Sequence, residues 1–390
     1  MALVINNAVA GPGVHALIIG VSDYINLPAQ GSPSTDAKWS LNKLSSPALS
    51  AFIVYDFIRT TGLRLPLKTV RLLLSPSQRE INAEPRLANA TPTRANRQAL
   101  DTFTADWRTD AAQDPNDMTF FYFAGHGTQR GSDDAVLMLD DFLSGAAPLG
   151  RCFEIRNVKA GMAPSPSFPN IALTQFYFVD ACLDRNAKLR TLDKPTAPDV
   201  LGVELNVVDR RAAPLFYSTV EGAIALGRSS MPSHFAEALT LAFKRAAEEA
   251  DEDTGQWPVT ATTIKNALDF YYIKNELGTL VTMGSLVGSP IIRYLPGPPD
   301  VDLSIVVQPD DLGVPCSIEV IDEGNNVVAR KQPGQRNFDC TVKAGLYRLQ
   351  VNAGLLASNP YTSQRRLSVK PSLKAWTHNL SQLLKPHSAP

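Results

Sequence analysis

Two apolar, strand-like runs end in residues able to do nucleophilic chemistry. Met118 to Ala124, Met-Thr-Phe-Phe-Tyr-Phe-Ala, leads into Gly125-His126-Gly127, and Thr174 to Val179, Thr-Gln-Phe-Tyr-Phe-Val, leads into Asp180-Ala181-Cys182. A thiol attacks a carbonyl as thiolate, so it needs a base or a lowered pKa. Histidine suits the task because it titrates near neutral pH. Ligands of an open parallel sheet gather beyond the C-terminal strand ends, so neighbouring strands would bring His126 and Cys182 to one edge. The glycines flanking His126 let a substrate backbone approach, and the amides of Gly127 and Cys182 are a candidate oxyanion hole. Taken singly, a cysteine after a strand is more often a small buried hydrophobe, and a histidine between glycines a turn residue. The pair at two strand ends is what makes the signal specific. Of the other histidines, His15 starts a strand, His234 opens a helix, and His378 and His387 lie in the C-terminal tail.

The elements around these residues read as an α/β fold. His15 to Val21 is a buried-strand pattern, and Val70 to Leu74 and Leu215 to Thr219 are further strands. Leu49, Phe52, Ile53 and Phe57 recur at helical spacing, with Gly62 as the stop. Pro92-Thr93-Arg94-Ala95 reads as another helix start, with Thr91 as cap and Pro92 at the first helical position. Phe235, Leu239, Ala242 and Phe243 mark a further helix. Strands alternating with helices imply a mainly parallel sheet. After Pro296-Gly297-Pro298-Pro299 the pattern changes to short alternating runs separated by turns such as Glu323-Gly324-Asn325-Asn326. That predicts a small antiparallel β-sandwich over 300–370, of immunoglobulin-like or transthyretin-like type. Residues 371–390 read as a helix-prone tail.

The composition excludes some partners. Charges nearly cancel, with net charge -1, which gives no electrostatic case for nucleic acid or a membrane surface. No apolar run approaches the roughly 20 residues that span a bilayer, and the N-terminus lacks the basic residues of a secretory signal. The expected location is cytoplasmic. Cys152, Cys182, Cys316 and Cys340 are too few for a disulfide framework. They are expected as free thiols, although Cys316 and Cys340 could pair if oxidised.

With those residues in view, the chain resembles the caspase and metacaspase superfamily. Phe123-Ala124-Gly125-His126-Gly127 is similar to its histidine motif, and Val179-Asp180-Ala181-Cys182 to its cysteine motif. The separation of the two matches the roughly 50 residues characteristic of caspases. Four weaker segments agree in order: Ala16-Leu-Ile-Ile-Gly-Val, Ser34-Thr35-Asp36-Ala37, Pro92-Thr93-Arg94-Ala95-Asn96, and Phe216 to Gly222 followed by Ser233 to Leu239. Metacaspases usually carry Ser where Ala124 stands, and caspases Arg or Gly where Leu183 stands. Neither change removes the dyad. The resemblance implies a caspase-like α/β sandwich over 1–295, with a large-subunit-like part at 13–190 and a small-subunit-like part at 212–295.

It also implies peptide-bond hydrolysis by a Cys182–His126 dyad with no cofactor, and a role in bacterial defence or programmed death. The prolines and basic residues between Arg185 and Arg211 read as an exposed loop, either a site of self-processing or a solvated basic loop. Metacaspases cut after Arg or Lys and have acids at the positions matched by Asp36 and Asp180, so the implied substrate is a protein with Arg or Lys before the cleaved bond. Two carboxylates in one pocket suit a guanidinium. The C-terminal region is a candidate site for a protein partner. Asp133, Asp134, Asp140 and Asp141 invite a calcium reading beside the alternative that they cap turns or line a solvated face. The rival functional class is an inactive caspase-like adaptor that binds partners.

Overall fold

The structure is a computed structural model that describes residues 3–29, 32, 41–90, 93–131, 134–147, 149–181, 197–204, 208–218, 228, 230–277, 282–283, 288–308, 316–334, 337–353, 361–371 and 376–379. In chain order the elements begin with β1 (Leu3–Asn6), β2 (Val14–Val21), α1 (Pro47–Thr61), β3 (Leu67–Ser75), α2 (Gln78–Ala83), α3 (Arg86–Asn89) and α4 (Arg97–Ala111). Next come β4 (Met118–Gly125), β5 (Gly127–Gly131), β6 (Asp134–Met138), β7 (Cys152–Glu154), α5 (Ile155–Gly161), β8 (Thr174–Ala181) and β9 (Leu215–Tyr217). They continue with α6 (His234–Arg245), β10 (Trp257–Thr260), α7 (Ala261–Lys274), β11 (Thr282–Met283) and β12 (Ile291–Leu295). The last are β13 (Asp300–Gln308), β14 (Cys316–Asp322), β15 (Val327–Gly334), β16 (Asn337–Lys343), β17 (Gly345–Ala353), β18 (Tyr361–Val369) and β19 (Trp376–Asn379). The chain divides into two compact units, one of residues 1–240 and 271–293, the other of 241–270 and 294–390.

A strand with no polar alternation must be covered on both faces, and β2, β4 and β8 are such strands. They form the middle of a seven-stranded sheet of order β1-β3-β2-β4-β8-β9-β11. The inner five run parallel, while β1 and β11 close the edges antiparallel. One face carries Leu17, Ile19, Phe121, Phe123, Tyr177 and Val179, packed with Leu100 and Trp107 of α4 and with Val136, Leu137 and Phe153. The last three come from a separate small sheet of order β5-β6-β7. The opposite face buries Ile18, Phe120, Tyr122, Phe178 and Phe216. There α1 lies close to β2: a Cβ on Gly20 would sit 2.8 Å from Ala48 Cα and 2.9 Å from the Pro47 carbonyl, so only glycine fits. The first amides of α1 are satisfied from a distance, Ala48 N–H by Ser22 Oγ and Leu49 N–H by buried Glu80. Gly62 ends the helix at φ 77°, as its position predicts.

In the second unit, sheets of order β16-β13-β19 and β15-β14-β17-β18 enclose Val301, Leu303, Ile305, Ile318, Val320, Leu349, Val351 and Leu367. This is the expected β-sandwich. Trp257 packs against its core, and Arg245 pairs with Asp302 at 3.2 Å.

Three expectations need correction. The helix expected from Pro92 begins at Arg97, because Asn96 caps it by accepting from Ala99 N–H at 2.9 Å. Thr93 instead bridges to Leu73 and Ala95 N–H donates to Ser75 Oγ, while Thr91 and Pro92 lie outside the described residues. The tail is not helical where it is described, since β19 pairs parallel with β13. The strand at Leu215 ends at Tyr217.

Candidate active site

Strands β4 and β8 pair in parallel from Met118↔Thr174 to Gly125↔Ala181. The next residues in the chain are His126 and Cys182. Cys182 and Asp36 lie outside the described residues, as does Asp133. His126, Gly127 and Asp180 are described.

His126 is buried, and each of its polar groups on the main chain is engaged. Its N–H donates to Tyr24 Oη at 2.7 Å, and its carbonyl accepts from Met138 N–H at 3.0 Å. The Tyr24 ring lies 4.9 Å from the imidazole, centroid to centroid. A side chain on Gly125 would place Cβ 2.9 Å from that phenol oxygen, so the glycine makes room for it. The imidazole Nε2 is 2.8 Å from the Asn42 carbonyl. A carbonyl only accepts, so Nε2 carries the ring proton and Nδ1 keeps its lone pair. Burial lowers the imidazole pKa to about 4, against an opposing contribution from the Asn42 carbonyl. The ring is therefore neutral at physiological pH, the state a general base requires. Gly127 opens β5 opposite Leu137 of β6.

Asp180 sits on β8 two residues before Cys182 and is also buried. It accepts from Tyr122 Oη at 3.1 Å and from the Ser233 hydroxyl. Ser233 Oγ also accepts from Ala236 N–H at the start of α6. Burial raises Asp180 to about 6, against the lowering pull of the Ser233, Tyr122 and Ser218 hydroxyls. Among the described residues no Lys or Arg pairs with it. It is a buried carboxyl held by hydroxyls.

The sequence singled out His126, Gly127 and Asp180 but missed their supports. Asn42 acts through its backbone, which leaves no signal in side-chain types. Tyr122 left one: a phenol inside an apolar strand must find a partner. Ser233 stands in a segment already noted, without an assigned role, and Tyr24 was not singled out.

Two of the other histidines, His15 and His234, have side-chain partners elsewhere, and His387 lies outside the described residues. His15 binds Thr69 at 2.8 Å and Asp117 at 3.2 Å at the opposite end of β2. His234 Nδ1 lies 3.4 Å from Tyr271 Oη, and His378 is in β19. Cys152 and Cys316 are buried, and Cys340 is half-buried; none of the three is in a disulfide. Burial pushes the Cys152 thiol far above its ordinary value, and burial with Asp339 pushes Cys340 up to about 11. Neither is a ready thiolate.

Asp140 accepts from Ser75 Oγ and Arg94 Nε, both at 2.7 Å, and Asp141 accepts from Arg97 N–H at 3.2 Å. These carboxylates serve a guanidinium, a hydroxyl and a helix start. Among the described residues no cluster of three or more His, Cys, Asp or Glu is arranged to hold a metal ion. No helix among them is long and apolar enough to cross a membrane.

A search of curated proteins returned no match. Among solved structures, the chain is similar to caspase-1 from Spodoptera frugiperda at 14% identity and a TM-score of 0.42, covering 75% of this chain and 92% of that one. The caspase domain, Peptidase_C14, matches residues 14–257. That span is more than half of the sequence and includes both strands that end beside His126 and Cys182, so the chain belongs to the caspase domain family of cysteine peptidases.

Proposed function

We propose that the chain is a cysteine endopeptidase that cleaves proteins after Arg or Lys, with Cys182 as nucleophile and His126 as base. The observation that carries this reading is the β4–β8 register, in which Gly125 and Ala181 are partners and each is followed by one member of the dyad. The free nitrogen of His126 is Nδ1, and it takes the thiol proton. The thiolate attacks the scissile carbonyl, and the oxyanion is held by the amides of Gly127 and Cys182. Collapse breaks the C–N bond, and the imidazolium returns its proton to the departing amine. Water activated by the same nitrogen then hydrolyses the thioester.

Asp180 supports the basic specificity. A buried carboxylate with only hydroxyl partners gains a charge-assisted hydrogen bond when a guanidinium or ammonium enters. Asp36 is the second acid of the proposed pocket. An acidic substrate residue there would face a carboxylate that pairs with no cation among the described residues. Self-cleavage after a basic residue in the segment following Cys182 extends the same specificity to the chain itself.

A peptide electrophile ending in Arg tests the proposal. It should label Cys182, shown by peptide mapping, and labelling should vanish in Cys182→Ala and His126→Ala. A fluorogenic panel should rank Arg above Lys and leave Asp uncut. Label on another cysteine, or a preference for Asp, refutes the reading.

A further inference from the structure

The two contacts that orient His126 come from opposite ends of one loop system. Tyr24, which holds the histidine amide, follows Asp23 in the chain. Asn42, which holds Nε2, precedes Lys43. Lys43 Nζ binds Asp23 Oδ1 at 2.7 Å and so joins the two ends. Arg94 continues the chain of charges. Its NH1 reaches Asp23 Oδ2 at 3.2 Å, its NH2 reaches the Asp23 carbonyl at 2.8 Å, and its Nε reaches Asp140 Oδ2 at 2.7 Å. Asp140 anchors the set on Ser75, at the C-terminal end of β3, and its carbonyl accepts from Ile25 N–H at 2.8 Å. The Lys43 and Leu44 amides bind the Pro28 and Ser22 carbonyls, both at 2.9 Å.

The Lys43, Asp23 and Arg94 side chains are 30–44% exposed. Ion pairs this wet contribute little to stability. Holding a geometry is a better account of why three charges meet here. Burial pushes the Asp23 carboxyl up, but the Lys43 and Arg94 hydrogen bonds outweigh it and keep the group below its ordinary value.

We propose that Asp23, Lys43 and Arg94 are positioning residues that hold the Asn42 carbonyl on Nε2 of His126 and so keep Nδ1 as the only basic nitrogen of the ring. The inference rests on His126 being the base proposed above. Without the carbonyl the imidazole takes up either tautomer, and half of the choices place the proton where the thiol proton must go. Tyr24 is a titratable group whose ring is tilted against the imidazole, and Asp23, Lys43, Arg94 and Asp140 are the charges behind it.

Two measurements on Lys43→Met, Arg94→Met and Lys43→Arg decide the matter. The first is made in the Cys182→Ala background, where no catalysis is needed. Ring nitrogen NMR of His126, assigned by loss in His126→Gln, should report one Nε2–H tautomer in the parent. It should report a mixture in both Met variants, with recovery in Lys43→Arg. The second uses active protein. Both Met variants should lose roughly 10-fold to 100-fold in kcat, with KM nearly unchanged and the His126 ionisation moved to lower pH. Lys43→Arg should regain most of the rate. A single Nε2–H tautomer in both Met variants overturns the proposal whatever the rate does. Lost rate without recovery in Lys43→Arg also overturns it. If the parent cleaves no peptide, the endopeptidase reading fails, while the NMR result still decides the positioning role.

Discussion

Replacing Asp180 by Asn should make the protein more stable and less active at once. Burial lifts this carboxyl from 3.8 to about 6. Each unit is worth ~1.4 kcal/mol, so ionising Asp180 in the folded chain costs on the order of 2–3 kcal/mol more than in the unfolded chain. The sign follows from the folded pKa lying above the unfolded one. The favourable contribution of the protonated group is fully present below about pH 4 and is lost as pH rises through about 6. Asn keeps the shape, and its Oδ1 still accepts from Tyr122 and Ser233, which now bind Asp180. Its amide must find a new acceptor, which takes back part of the gain. The net expectation is about 1–2 kcal/mol of added stability at pH 7.5 and a loss of about 1 kcal/mol at pH 4, where only the amide's cost remains, read by urea denaturation at both pH values. The same change leaves an arriving guanidinium without its carboxylate, so kcat/KM on Arg peptides should fall roughly a thousandfold. Equal destabilisation at both pH values would show that Asp180 is an ordinary structural carboxyl. Full Arg cleavage by the variant would remove it from the substrate pocket.

The acid limb of kcat/KM on Arg peptides should lie near 6, set by Asp180, not near the value of about 4 that burial gives His126. In kcat it should move lower, because a bound guanidinium favours the carboxylate; a limb that stays put on going from kcat/KM to kcat argues against the pocket. Self-cleavage should fall after Arg185, Lys188, Arg190 or Lys194 and not after Arg211, because buried Arg211 donates to the Lys159 carbonyl and Gln175 Oε1 and is bound to Asp209. Intact-mass measurement of aged protein checks this. A chain ending at residue 299 should still cut small peptides but recognise a protein target poorly and melt at lower temperature, since Trp257 and Arg245 lose the sandwich core and Asp302. Calorimetry and peptide assay on the truncated chain read both effects.

The five inner strands of the central sheet were legible because a buried strand is a largely apolar run, as in β4 and β8, whereas the short edge strands β1 and β11 were not. The small β5-β6-β7 sheet was not, because Gly127-Thr-Gln-Arg-Gly is short, polar and rich in glycine, which reads as loop. Pro92 attracted a helix start that belongs to Asn96, whose side chain caps the helix. Both are helix-start residues, and only the hydrogen bonds tell them apart. In the site, His126 could be singled out from its position at a strand end, and Asp180 through the metacaspase resemblance. The Asn42 carbonyl could not, since every residue type supplies one. Neither could the Lys43–Asp23–Arg94 set, which joins residues far apart in the chain and needs the folded loops to meet.

On the reading proposed above, the pairing of β4 with β8 sets when the dyad is complete. Parallel neighbours cannot form by a local hairpin; they need a crossover, here the stretch holding β5, β6, β7 and α5. During synthesis β4 leaves the ribosome well before β8, and the entropy of closing that long connection is spent before any strand contact rewards it. A nascent, half-folded or misassembled chain thus carries the histidine strand without its cysteine neighbour. If the dyad acts as proposed, it is complete only in the finished sheet, and the folding order itself then holds back premature cleavage of other proteins.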